Sequence, residues 1–193
     1  MMFLKIALYT VFVILVGVPL YAIPATLTLP AGPRSGIAEL SIEQAANQLI
    51  STGKTDWSLV EAARALVAER MQYSRRNSFD TPERAFERGY GYCTQHAYAL
   101  TSLLTELGFE AKVVQAFQNR FPSGKITAHA WVRVNLNNET RYIDSLFYDQ
   151  RAGELDFTPL SEVTDISPAF KLLAYWGATG INAHRYYLSG KDL

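Results

Sequence analysis

The chain has 193 residues, with 18 Lys and Arg balanced by 18 Asp and Glu. No basic excess exists to neutralise phosphates, so nucleic acid is not an expected partner. At 49% hydrophobic and 19% charged, the composition is that of a globular protein and excludes a disordered or collagenous one. The single cysteine rules out an internal disulfide and a four-cysteine zinc site.

Charge is nearly absent from the N-terminal segment, where Lys5 stands alone before Arg34. Ile6 to Ile23 is apolar except for Thr10, Gly17 and Pro19. As a helix rising ~1.5 Å per residue it would extend about 27 Å, near the hydrocarbon thickness of a bilayer. Residues 1–23 therefore read as a signal anchor or a signal peptide, with a buried core helix as the plain alternative. Leu20-Tyr21-Ala22 lacks the small residue at −3 that cleavage requires, which favours the anchor. Membrane contact is then expected through residues 6–23, with the remainder in the cell envelope, either anchored outside the cytoplasm or exported to the periplasm. Residues 24–40 carry Pro24, Pro30, Gly32, Pro33 and Gly36, a pattern that suits a linker better than a helix or a central strand. Residues 41–193 form the expected folded domain, large enough for one substantial core.

Ser41-Ile42-Glu43-Gln44 reads as a capping box that opens a short helix ending near Gly53. Thr55 or Asp56 starts a second helix, whose buried stripe is Leu59, Val60, Ala63, Leu66, Val67 and Met71. Thr81-Pro82 caps a brief third helix that stops at Gly89. A fourth runs from Cys93 to Leu107, with Gly108 as its left-handed stop and Ala97, Leu100, Leu104 and Leu107 inward. The periodicity then changes to strands over Ala111–Phe117, Ile126–Leu136 and Arg141–Phe147, with a hairpin turn at Asn137-Asn138. In the second strand Ala128, Ala130, Val132 and Val134 share one face, while His129, Arg133 and Asn135 take the other. Ser167-Pro168 opens a last helix with Phe170, Leu172, Leu173 and Trp176 to bury, interrupted by Gly177 and Gly180. Helices followed by neighbouring strands argue for an α+β fold.

Cys93 follows Gly89-Tyr90-Gly91-Tyr92, where the glycines permit a tight turn. In the first turn of a helix, unpaired amides and the positive end of the dipole favour a thiolate, the reactive form of the side chain. A base must stand beside it. Among three histidines, His96 lies on the same helix with no third group to hold it, and His184 lies near the C-terminus among polar residues. His129 sits mid-strand, and the hairpin register sets it opposite residues 144–146. Asp144 is then within reach to orient the imidazole and balance its charge. A buried carboxylate there requires such a partner.

This order of thiol, imidazole and carboxylate resembles the transglutaminase-like superfamily over about Leu59 to Phe147. The pieces that carry the likeness are Met71-Gln72-Tyr73, Gly91-Tyr92-Cys93, the Leu103 to Val114 run, Ala128-His129-Ala130-Trp131-Val132 and Tyr142-Ile143-Asp144. The resemblance implies a papain-like α+β fold, with the nucleophile helix packed on an antiparallel sheet. It also makes Tyr73 a candidate oxyanion donor beside the Cys93 amide. Tyr92, Trp131 and Phe121 are candidate groove walls, and the Gln118–Lys125 loop a candidate rim. Arg141 and Tyr142 stand where the family often carries a tryptophan. Calcium-binding acidic loops and the flanking β-sandwich and barrel domains of the large animal enzymes are absent from the pattern, which weakens an expectation of protein cross-linking. The expected chemistry is acyl transfer at amide bonds of a protein or peptide substrate, without cofactor or metal. Hydrolysis is favoured over transamidation, since small members of the superfamily resemble peptidases. Two alternatives remain open at this point: an inactive binding module of the same fold, and a peptidoglycan-directed cysteine amidase. No oligomeric state is specified.

Overall fold

A computed structural model describes residues 2–77, 79–146, 151–166 and 168–189. They fall into two compact units, one comprising residues 1–30, 74–79 and 167–193, the other residues 31–73 and 80–166.

The first unit contains helix α1 (Met2–Phe12), a π-helical turn (Val13–Gly17), helix α2 (Val18–Leu27) and helix α7 (Pro168–Ser189). Within it, Tyr9–Leu27 is long and apolar enough to cross a membrane. The linker expected at residues 24–40 begins later than its prolines suggest, because α2 runs through Pro24 to Leu27. Ala22 and Ala25 of this last turn are buried, and α2 packs on α7, which offsets the amide that Pro24 lacks. The wider π turn lies just before Pro19 in one continuous helix, a local widening of the kind that accommodates a residue without an amide donor. Helix α7 likewise continues through Gly177 and Gly180, contrary to the expected interruption. Its packing on α2 overrides the helix penalty of the glycines. The expected core positions Phe170, Leu172 and Leu173 lie outside the residues whose side chains are described. Trp176 is half-buried and meets Phe79 edge-on, with ring centroids 6.3 Å apart.

In the second unit the expected capping box forms, with Ser41 and Gln44 bonding each other's backbone amides at the start of α3 (Ile42–Ile50). Helix α4 (Asp56–Arg70) follows Thr55, then strand β1 (Gln72–Tyr73), helix α5 (Pro82–Arg88), strand β2 (Tyr90–Gly91) and helix α6 (Cys93–Glu106). Strands β3 (Glu110–Arg120), β4 (Ile126–Leu136) and β5 (Glu139–Ile143) form an antiparallel meander. Two short strands not anticipated from sequence, β6 (Thr158–Pro159) and β7 (Thr164–Asp165), pair with the free side of β3. Residues 34–40 of the expected linker pack on this unit: the Arg34 amide donates to the Arg88 carbonyl at 2.8 Å, and Arg70 reaches the Ala38 carbonyl at 3.0 Å.

The hairpin is fixed by Asn137 and Asn138, both at positive φ (52° and 62°), the geometry of a two-residue turn that matches strand twist. One face of the sheet (Val113, Ala130, Val132, Val134, Ile143) packs on α3 to α6 and forms the main core. The other face is also covered in its centre: Val114, Ala116 and Trp131 pack with Phe157, delivered by the segment after β5. His129 therefore does not stand on a solvated polar face; Phe121 and Phe157 roof it. Strand β5 ends at Ile143, and Asp144 to Leu146 leave the ladder. Phe147, the expected end of that strand, lies outside the described residues.

Gly89 closes α5 at φ 79°, and a Cβ there would lie 2.8 Å from the Arg70 carbonyl oxygen. Gly53 has φ 69° with nothing within 4 Å of the same position. Gly53→Ala should cost only the left-handed penalty of about 1–2 kcal/mol. Gly89→Ala should cost clearly more, because backbone contact adds to that penalty. Thermal melts of the two variants check this, and equal midpoints would show that α5 does not depend on the close approach.

Candidate active site

Cys93 is the first residue of α6, and its thiol is half-buried. The turn that leads to it is locked from two sides. The Tyr92 amide donates to Gln95 Oε1 at 3.1 Å, and Gln95 Nε2 donates to the Asp80 carbonyl at 2.8 Å. A Cβ on Gly91 would lie 2.7 Å from Met71 Cε and 3.1 Å from Gln95 Cβ, so the turn passes where only glycine fits without displacement. Strands β1 and β2 pair in parallel and set Tyr73 beside Gly91. The expected oxyanion candidate thus stands next to the turn that leads to Cys93.

His129 and Asp144 come together through register. The last pair of the hairpin, Val132 with Ile143, brings the chain that leaves β5 at Asp144 up to the β4 segment that carries His129. Next to His129, β3 carries one extra residue between Ala116 and Asn119, and the bulge bends the strand at this point. His129 Nε2 lies 2.6 Å from Asp144 Oδ2, with the two side chains 5% and 3% exposed by residue. The Leu146 amide donates to Asp144 Oδ1 at 2.9 Å, so both carboxylate oxygens are engaged. With Nε2 committed to the acid, Nδ1 is the nitrogen left to face sulfur.

The electrostatics follow. Burial by itself would raise the Cys93 thiol pKa, but hydrogen bonding and charge from His129 outweigh it. Thr94 and the Ala130 backbone add to this, and the thiol ends below its usual value. Burial also disfavours the imidazolium of His129. The charge and hydrogen bond of Asp144, followed by those of Cys93, oppose this and push the pKa up to about 10. The arrangement favours a thiolate paired with an imidazolium.

Other candidates separate clearly. Tyr92 and Trp131, expected as groove walls, are each 1% exposed. Trp131 instead stacks under His129, with ring centroids 6.1 Å apart and planes 20° apart, and fixes the imidazole from below. Phe121 is half-buried and meets the His129 edge at 5.5 Å. It also lines an open groove of about 410 Å³ with residues of the expected rim loop, Arg120, Pro122 and Gly124, and with Leu155, Asp156, Phe157 and Thr158. His184 is exposed and meets the Tyr21 hydroxyl at 3.1 Å through Nδ1, in keeping with a packed tail.

Sequence reasoning set His96 aside as a histidine that nothing would hold, yet it is 1% exposed and flanked by the backbones of Gly91 and Ser145. Burial lowers its pKa to about 4, against the opposing pull of Asp144. The signal was the i, i+3 spacing from Cys93, which turns this side chain toward the site rather than along the helix. The unfolded imidazole binds a proton below about 6.5 and the folded one does not until about 4, so stability is complete above that window and falls as pH drops through it. The loss should approach roughly 3 kcal/mol. Melts of the full chain in detergent from pH 7 to 4 should fall more steeply for wild type than for His96→Gln, and parallel profiles would mean that folded His96 takes up protons normally.

Residues 43–144 match the family model described as the transglutaminase-like superfamily. No curated protein matches the chain. Among solved structures, the chain is similar to a candidate cysteine protease from Cytophaga hutchinsonii at 12% identity and a TM-score of 0.42, covering 65% of this chain and 48% of that one. A candidate protease from Parabacteroides distasonis ATCC 8503 is similar at 14% identity and a TM-score of 0.43, over 66% of this chain and 30% of that one. Legionella pneumophila LapG is similar at 15% identity and a TM-score of 0.47, over 86% of this chain and 95% of its own. The chain thus spans about half of the first and under a third of the second. The family match covers just over half of the chain and ends on Asp144, and the chain belongs to the transglutaminase-like superfamily.

Proposed function

We propose that the protein is a cysteine peptidase or amide hydrolase whose nucleophile is Cys93, with His129 as base and acid and Asp144 as the group that orients it. The observation that carries this reading is the buried 2.6 Å His129–Asp144 contact beside a thiol at a helix start. The thiolate attacks an amide carbonyl and a C–S bond forms. As the tetrahedral species collapses, the C–N bond breaks and the His129 imidazolium gives its proton to the departing amine. Water then attacks the thioester and yields a proton to His129. The C–S bond breaks, which restores the thiolate and releases the acid. The Cys93 amide, at the first position of α6, is suited to meet the developing oxyanion, with the Tyr73 hydroxyl as the second donor. Protein or peptide chains are the proposed substrates. The apolar helix is proposed to anchor the catalytic unit outside the cytoplasm, and an intact mass that retains Met1 or Met2 on the membrane-bound protein would distinguish this anchor from a removed signal.

Because the chain has one cysteine, haloacetamide labelling read by mass reports on Cys93 alone. The labelling rate should reach half its maximum below the ordinary thiol range near ~8.5. In His129→Ala this midpoint should move up to or beyond that range, since the cation is lost and burial remains. Cys93→Ala should remove amide cleavage by more than ~10³-fold. Asp144→Asn should lose less, on the order of 10–100-fold, since an amide oxygen can still accept from Nε2–H, as in Cys-His-Asn sites. Unchanged labelling in His129→Ala together with full turnover in Cys93→Ala would overturn the assignment.

A further inference from the structure

The chain is neutral, but its charge is unevenly shared between the two units. Six of its 18 Lys and Arg (Lys5, Arg75, Arg76, Lys171, Arg185 and Lys191) belong to the first unit, and of its 18 Asp and Glu only Asp192 does. The unit that carries the apolar helix thus has a net charge of +5 within a chain whose total is zero. Such an asymmetry points to an anionic partner for that unit alone.

The apolar helix changes character along its length. Every residue from Tyr9 to Gly17 is exposed, so the helix is apolar and uncovered all round its axis. From Val18 onward α7 covers one face: a Cβ on Gly180 would lie 3.6 Å from Val18 Cγ1, and Ala22 and Ala25 are buried. One turn past Gly17 a cluster of aromatic and basic side chains begins. The Tyr21 hydroxyl meets His184 Nδ1 at 3.1 Å, and the Tyr187 hydroxyl donates to the Tyr21 carbonyl at 2.9 Å. The Tyr187 ring touches those of Tyr21 and Tyr186, with centroids 5.1 and 5.6 Å apart. The Arg76 guanidinium lies 5.7 Å from the Tyr186 ring and donates to the Thr28 hydroxyl at 3.1 Å. Arg185 is exposed beside them, between the exposed Ile181 and Leu188 on one face of α7.

These are the side chains of a membrane–water boundary. A tyrosine settles there because its ring is apolar and its hydroxyl is wet, and an arginine there meets lipid phosphate. Arginine is costly in hydrocarbon, so with the helix inserted the bilayer interior ends before Arg76 and Arg185. Tyr21 stands four residues past Gly17, about 6 Å along the helix, which is the depth of one headgroup layer. A zwitterionic surface would satisfy the tyrosines and leave the basic excess unmatched. We propose that Arg76, Arg185 and the Tyr21–His184–Tyr186–Tyr187 cluster bind the anionic phospholipid headgroups of the membrane that holds the apolar helix. The inference rests on the proposed anchor. Each basic side chain near an anionic surface accounts for roughly 5-fold in affinity, and salt screens the attraction.

The full chain would be reconstituted at low salt in phosphatidylcholine vesicles with a trace of spin-labelled phosphatidylglycerol or spin-labelled phosphatidylcholine. Electron paramagnetic resonance then reads the fraction of labelled lipid immobilised at the protein. Phosphatidylglycerol should be held about 5-fold more strongly than phosphatidylcholine, a preference that falls to within about 2-fold in ~0.5 M salt. Arg185→Gln should remove at least about half of the preference, and Arg185→Gln combined with Arg76→Gln should bring it to within about 2-fold. The single variant keeps the test decisive, since Arg76 also bonds Thr28. Lys54→Gln, which removes an exposed cation of the other unit, should leave the preference unchanged. Equal retention of the two lipids, a preference unchanged in Arg185→Gln and in the double variant, or an equal loss in Lys54→Gln would overturn the lipid site. So would release of the labelled lipid by glycerophosphoglycerol, which carries the headgroup without acyl chains. A chain that alkaline carbonate strips from the vesicles is a different failure, since it would remove the proposed anchor itself.

Discussion

A carboxylate at 3% exposure survives in a protein interior only if it is paired and fully hydrogen-bonded, and Asp144 meets that condition through one imidazole and one backbone amide. That requirement governs much of the catalytic unit. A one-residue slip in the β4–β5 hairpin would send Asp144 to the opposite face, into the aliphatic core against the helices. The two left-handed asparagines of the turn and the apolar faces of both strands fix the one register that avoids this. Local turn chemistry, sheet register and ion-pair burial thus agree.

The same dyad explains why two buried imidazoles near one acid behave oppositely. His129 takes the carboxylate directly and gains a thiol as second partner, so charge is favoured in spite of burial. His96 feels Asp144 only through space, at an acid whose two oxygens are already bonded, and burial wins. One cation rather than two therefore stands near Cys93. A second would strengthen the thiolate further, but it would also compete for Asp144 and release the imidazole from its fixed tautomer. A neutral His96 leaves that alignment undisturbed.

What the sequence disclosed, and what it concealed, divides along the range of the interactions. Ser41 and Gln44, Thr81-Pro82, Gly89, Gly108 and Asn137-Asn138 act within four residues, and each expected boundary they imply is found. His129 and Asp144 were legible as neighbours because the hairpin register between their strands is nearly forced. The second core was hidden because Phe157 comes from a segment with no periodicity of its own, and its cover turns the face of His129 and Trp131 from wet to dry. Trp131, expected as a groove wall, is buried for that reason: an aromatic beside a reactive residue fits a wall or a core equally well until the covering segment is known. Helix breaking at Pro24, Gly177 and Gly180 failed as a guide because α2 and α7 pack on each other, and propensity yields to tertiary burial.

The choice between water and amine as acceptor turns on how the surroundings of sulfur and imidazole differ. Trp131, Phe121 and Phe157 enclose the His129 ring, a low-dielectric setting that strengthens its bond to Asp144. Cys93 is half-buried, and the groove lined by Phe121 and Phe157 is open to solvent. A transamidase has to keep water from its thioester long enough for an amine to arrive, and an open groove does not provide that exclusion. On the proposed chemistry, an acyl group on half-buried Cys93 would meet water with His129 already held by Asp144 to activate it. An amine would prevail only if the protein held it tightly enough to offset the higher concentration of water. On the proposed chemistry, hydrolysis is therefore the default fate of the acyl-enzyme.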